Sequence, residues 1–122
     1  MPDLATYEDV EKVVRTQYDL LLASPQTAPH FEGVDLPHHL PRVCTFWAFS
    51  LGLGDASYRG SVFEPHKRLT LADADYTVWQ AALKSALEMH GMDGPVAQSM
   101  VAKAQMMEFI FRSKMPVHNP PE

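Results

Sequence analysis

Residues 72–116 read ADADYTVWQAALKSALEMHGMDGPVAQSMVAKAQMMEFIFRSKMP, and their spacing is helical twice over. Tyr76, Trp79, Leu83, Ala86, Leu87 and His90 recur at three- and four-residue steps, which places them on one face of a helix starting near Ala72. Gly91 and Gly94 interrupt the pattern, and Pro95 suits the first position of a new helix. Val96, Met100, Val101, Ala104, Met107 and Phe111 continue in register until Pro116. Neither run alternates with the period of two that a half-buried strand requires, so the stretch predicts two long helices joined by a short turn.

The first half of the chain has the same character. Thr6 and Asp9 form a capping-box pair ahead of Val10, Val13, Val14, Tyr18, Leu21 and Leu22, an amphipathic helix that ends before Pro25. From Ser24 to Pro37 the prolines Pro25, Pro29 and Pro37 and Gly33 leave room only for short turns. A second helix is expected from Pro37, with His39, Val43, Phe46, Trp47 and Ser50 on one face and Leu53 and Gly54 closing it. Residues 54–65 read as loop, anchored by Val62 and Phe63, and His66 follows directly. The expectation is an all-α single domain over residues 1–116, with four helices and two irregular connections, and a disordered tail at 117–122.

Composition narrows the function. A chain of 122 residues can build one core with a pocket inside it, and seven Met, six Phe, four Tyr and two Trp provide bulky, adaptable lining. Its net charge of -5 argues against nucleic acid, which is bound by neutralising phosphates with Lys and Arg. No apolar stretch is long enough to span a bilayer, and the acidic segment Met1–Glu11 lacks the basic start of an export signal, so a cytoplasmic location without membrane attachment is expected. Cys44 is the one cysteine, which excludes a disulfide framework, a thiolate cluster and a CxxCH haem attachment.

The six histidines show no HxxxH or HExxH spacing, so a protein zinc site is not expected. A histidine on an irregular segment, a second on the inner face of a helix and aromatics between them would instead suit a flat iron porphyrin. His66 follows Phe63 and precedes Lys67, Arg68 and Leu69, whose cations could meet propionates. The same spacing fits a structural histidine, and Tyr18, His39 and Trp79 fit an ordinary core as well as a pocket.

An ordered set of short motifs separates these alternatives: Phe46-Trp47-Ala48, Gly54-Asp55, Tyr58-Arg59-Gly60, His66, Leu69, Trp79 ten residues later, and Ala104-Gln105-Met106-Met107. In this order and at nearly gap-free spacing they resemble the truncated haemoglobins, group III in particular, over about Val13 to Lys114. The resemblance implies a two-over-two helical sandwich enclosing non-covalent haem b, with His66 as the proximal iron ligand. It implies Tyr18 and Trp79 as distal hydrogen-bond donors, and His39 as either a distal gate or a sixth iron ligand. Phe31 would pack on the porphyrin, Val43 and Phe46 would complete the distal wall, and Trp47 would support that helix from behind or beside the haem. Tyr58, Phe63, Lys67, Arg68, Leu69, Tyr76 and Leu83 would border the cofactor. The implied ligands are dioxygen, nitric oxide and carbon monoxide, with a reductase as electron donor. A peroxidase or nitric-oxide-detoxifying enzyme is the catalytic alternative, and a haem-free helical interaction module is the alternative from another class.

The chain departs from the family pattern at named positions. Gln17 stands where a phenylalanine commonly precedes the distal tyrosine, and is expected to add a polar group to the distal side. His30 replaces an aliphatic residue before Phe31, Val62 replaces a proline, and Pro65 adjoins His66. Only seven residues separate Phe31 from His39, so the second long helix is expected to start near the haem edge. His38 is expected to face solvent, and His90 to interact with a helix C-terminus.

Overall fold

Thr6 starts the first helix as its spacing predicts. In the computed structural model, which describes residues 2–54 and 69–119, the Thr6 hydroxyl accepts from Asp9 N at 3.2 Å while Asp9 accepts from Thr6 N at 3.0 Å. Helix α1 runs Tyr7–Ala23. A 3-10 turn follows at Ala28–Phe31, within the proline-rich stretch expected to hold only turns. Helices α2 (Leu36–Ser50), α3 (Asp73–Met89) and α4 (Pro95–Lys114) complete the order, and the described residues contain no strand.

α1 packs on both α2 and α3, and α4 packs on α3. This is two helices over two, with α1 as the shared wall. Val10, Val13, Val14 and Leu21 on α1 meet Cys44, Trp47 and Ala48 of α2, Leu83, Ala86 and Leu87 of α3, and Met100 and Ala104 of α4 in one cluster. Each large aliphatic side chain withdrawn from water there contributes roughly 1.5–3 kcal/mol before the entropy of ordering it.

The seam of α2 is rotated from its expected position. Cys44, Trp47 and Ala48 are its buried residues, whereas His39, Val43, Phe46 and Ser50 lie half-buried at its edge. The helix also stops earlier than expected: Gly52, at φ 71°, follows the C-cap, with Gly52 N bonded to Phe49 O and Leu53 N to Ala48 O. α3 ends on the same device at Gly91, where Gly91 N bonds Glu88 O and Met92 N bonds Leu87 O. The left-handed conformation these crossed bonds require is one that glycine adopts without steric cost. His90 is the C-cap residue of this helix, and its Nε2 meets the Thr16 hydroxyl of α1 at 2.7 Å.

Two terminal segments are tied into the fold. Asp3 reaches the start of α4, where its carboxylate accepts from Val96 N at 2.7 Å and Ala97 N at 2.8 Å. Pro2 O accepts from Asp93 N and Gly94 N beside it. A Cβ on Gly94 would lie 2.6 Å from the Asp3 carboxyl, so this approach needs glycine. At the other end, part of the expected disordered tail is docked: His118 N bonds Leu71 O, Asn119 exchanges two bonds with Asp73, and Val117 packs on Tyr76, Phe111 and Met115. The tail's prolines suggested disorder, but backbone and amide groups before them find partners at the start of α3. No helix among the described residues is long and apolar enough to cross a membrane.

Candidate functional site

The two-over-two packing leaves a cavity of about 330 Å³ between α1, the 3-10 turn, the start of α2, and one face of α3 and α4. That volume lies within the range of small-molecule and cofactor sites, roughly 300–1,000 Å³. Its walls are largely apolar and aromatic: Leu21, Phe31, Val34, Leu69, Leu71, Tyr76, Trp79, Met107 and Phe111. Polar groups enter it from Tyr18, Thr27, His30, His39, Asp75 and Glu108.

Tyr18 and His39 meet across the mouth of the α1–α2 pair. The Tyr18 hydroxyl lies 3.2 Å from His39 Nε2, and the rings are tilted at 5.9 Å. Phe31 contacts the other side of Tyr18, edge to face at 5.4 Å. Helix α2 begins five residues after Phe31, so His39 falls in its first turn, beside Tyr18. Burial pushes the Tyr18 phenol well above its usual pKa, so it remains a protonated donor at physiological pH. The Tyr18–His39 bond can run either way: imidazole N–H to phenol oxygen, which leaves the phenol proton for a ligand, or phenol O–H to imidazole nitrogen.

A different polar group occupies the side toward α3. Asp75 is only 5% exposed and accepts three hydrogen bonds: from Gln26 Nε2 at 3.0 Å, from His30 Nε2 at 3.1 Å and from Ala72 N at 2.8 Å. Beyond it, Glu108 accepts from Gln80 at 3.1 Å and from Arg112 at 2.8 Å. Arg112 also bonds Asp73 at 2.6 Å and lies 4.4 Å from the centre of the Tyr76 ring.

Of the residues expected at the site, the structure gathers Tyr18, Phe31, His39, Leu69, Tyr76 and Trp79 around one cavity. Val43, Phe46 and Leu83 belong instead to the core or its border and are not among the lining residues. His66, Tyr58, Phe63, Lys67 and Arg68 lie outside the described residues.

Gln17 is a correction. It is 1% exposed, does not line the cavity, and its buried Nε2 has no hydrogen-bond partner among the described residues. Adjacent helical residues point about 100° apart, so turning Tyr18 to the cavity turns Gln17 into the core. His38 is exposed, as expected. Cys44 is buried in the core and its thiol is pushed up to about 11, chiefly by burial, so it stays protonated and unreactive. Among the described residues no three His, Cys, Asp or Glu side chains gather as a metal site.

Sequence reasoning missed Asp75, Glu108, Thr27, Val34, Leu71, Met107 and Phe111 as lining residues. Met107 and Phe111 stood in the apolar register of α4, but nothing in that register distinguishes a pocket wall from a core. Asp75 sits in the first turn of α3, where an acidic residue is ordinary.

No protein-family model matches the sequence, and no curated protein matches it. Solved structures do match the fold. The group III truncated haemoglobin of Campylobacter jejuni superposes with a TM-score of 0.78 at 18% identity, covering 98% of each chain. The group II truncated haemoglobin of Bacillus anthracis gives 0.76 at 18% identity, over 95% of this chain and 88% of that one. The truncated oxygen-avid haemoglobin of Bacillus subtilis gives 0.75 at 16% identity, over 86% and 92%. The fold is therefore the truncated-globin two-over-two sandwich.

Proposed function

We propose that this chain is a group III truncated haemoglobin, a single domain that binds haem b non-covalently in the cytoplasm and holds dioxygen or another diatomic gas at a polar distal site. The observation that carries the reading is the convergence of Tyr18, His39 and Trp79 on one largely apolar cavity within this fold. The residues present fit the cofactor: Phe31, Tyr76, Trp79 and Phe111 offer flat apolar walls, and hydroxyl, imidazole and indole groups supply donors. His66 would hold the iron, with Lys67 and Arg68 near the propionates.

When bound, haem supplies the iron to which the gas binds. The protein's part is electrostatic. A hydrogen-bond donor held in a dry cavity would stabilise a partly negative diatomic ligand by about 1–3 kcal/mol. Tyr18 is the principal donor, and it has a proton to give only when His39 Nε2–H donates to the phenol oxygen. That tautomer has no lone pair on Nε2, so a His39 that supports Tyr18 in this way cannot also bind iron through the same nitrogen. In either direction the 3.2 Å contact engages Nε2 with the Tyr18 hydroxyl, which supports the gate and donor role over a sixth ligand.

Reconstitution with haemin tests the reading. A Soret band is expected, with a five-coordinate ferrous spectrum before gas is added and stable complexes with carbon monoxide and dioxygen. His66→Ala is expected to lose the proximal bond. Absence of a Soret band after reconstitution would leave the haem-free interaction module as the function.

A further inference from the structure

Phe31 stands between two contacts of different kinds. Its ring meets Tyr18 edge to face, while its chain neighbour His30 bonds Asp75 of α3. A carboxylate can only accept, so His30 carries a proton on Nε2 in that bond. Gln26 donates to the same oxygen, so one side chain of α3 holds both ends of segment 26–30. Thr27 ties the start of the segment to α1 through its hydroxyl, which donates to Leu21 O at 2.6 Å, but the 3-10 turn buries none of its own residues, and toward α3 it is Asp75 that holds it.

We propose that His30 and Asp75 are positioning residues for Tyr18. The pair clamps the 3-10 turn to α3, the turn sets Phe31 against the Tyr18 ring, and the ring then points its hydroxyl to the cavity beside His39. Both residues line the cavity, but the polar atoms that join them are engaged with each other, and their effect on the gas runs through Tyr18. The consequence for ligand affinity rests on the proposed haem function, whereas the clamp is a property of the polypeptide.

His30→Leu keeps bulk and removes the donor, while His30→Gln retains an amide that can donate to Asp75. Nuclear Overhauser contacts between the Phe31 and Tyr18 rings, recorded with and without haem, are expected in the wild type and His30→Gln and lost in His30→Leu. In the haem-loaded protein, oxygen dissociation is expected to rise about fivefold in His30→Leu, as for partial loss of one hydrogen bond. It should return near the wild-type rate in His30→Gln. In a Tyr18→Phe background, His30→Leu should change nothing further. If His30→Leu does not fold, His30→Met, which is unbranched and equally lacks a donor for Asp75, carries the same expectations.

Ring contacts that persist in His30→Leu overturn the clamp, whether or not haem binds. A rate increase of equal size with and without the Tyr18 hydroxyl overturns its action through Tyr18. A wild-type chain that shows the contacts but takes up no haem defeats the proposed function and leaves the clamp standing.

Discussion

The cavity has two polar sides built on opposite principles. Tyr18 and His39 share one hydrogen bond whose direction is open, since both groups can donate and accept. His30 and Asp75 share a bond whose direction is settled, and Asp75 is committed to two further donors. An arrangement with two near-equivalent states suits a site that must answer to a ligand, because the proton can be redirected without moving heavy atoms. An arrangement with one state suits a support. The difference predicts that stability depends mainly on one side and ligand retention on the other.

The largest effect should come from breaking the settled side. Asp75→Ala strands three donors, one of them at the buried start of α3, and is expected to cost about 3 kcal/mol of stability by urea unfolding. Tyr18→Phe is expected to cost less than about 1 kcal/mol by the same measurement, since it leaves the ring packing intact. Similar losses in the two variants would erase the distinction.

The reverse order is expected for ligand retention. In stopped-flow measurements on the haem-loaded protein, Tyr18→Phe should speed oxygen dissociation by about tenfold or more, as for removal of one charge-assisted bond. An unchanged rate would remove Tyr18 from the distal role.

Asp3 provides a control remote from both sides. Asp3→Ala should lower stability by about 1 kcal/mol through loss of the α4 cap, with ligand dissociation unchanged. Burial acts to raise the Asp3 pKa, but the N–H groups of Val96, Ala97 and Leu4 outweigh it and bring the pKa below 3.8. A group depressed in the folded state contributes stability above its unfolded pKa and loses it as pH falls through the folded value. Acid titration followed by circular dichroism should therefore show a shallower loss of stability below about pH 4 in Asp3→Asn than in the wild type.

Much of the fold was legible in the sequence because long helices write their period plainly: the ends of α1, α3 and α4 fall within a residue or two of Thr6, Pro25, Ala72, Gly91, Pro95 and Pro116. α2 was less legible. His39, Val43, Phe46 and Trp47 form a good stripe, yet Cys44 and Ala48, small residues that allow close approach to α1, set the buried face instead. The site divides in the same way. Tyr18, His39 and Trp79 were found through an ordered resemblance, whereas Asp75 was not, because its partners Gln26 and His30 lie 49 and 45 residues away. A contact at that separation leaves no local pattern.

The Asp3 cap has a further consequence, for the order of events in folding. Its bonds to Val96 and Ala97 join positions 93 and 94 residues apart, so they close a loop that contains the first three long helices. Loop-closure entropy opposes such a contact until the intervening helices have docked. The cap is then absent from the transition state, and its loss falls on the reverse step: refolding of Asp3→Ala should keep the wild-type rate while unfolding accelerates about fivefold. Residues 2–5 thus act as a latch, which does not speed the closing of the fold but delays its opening.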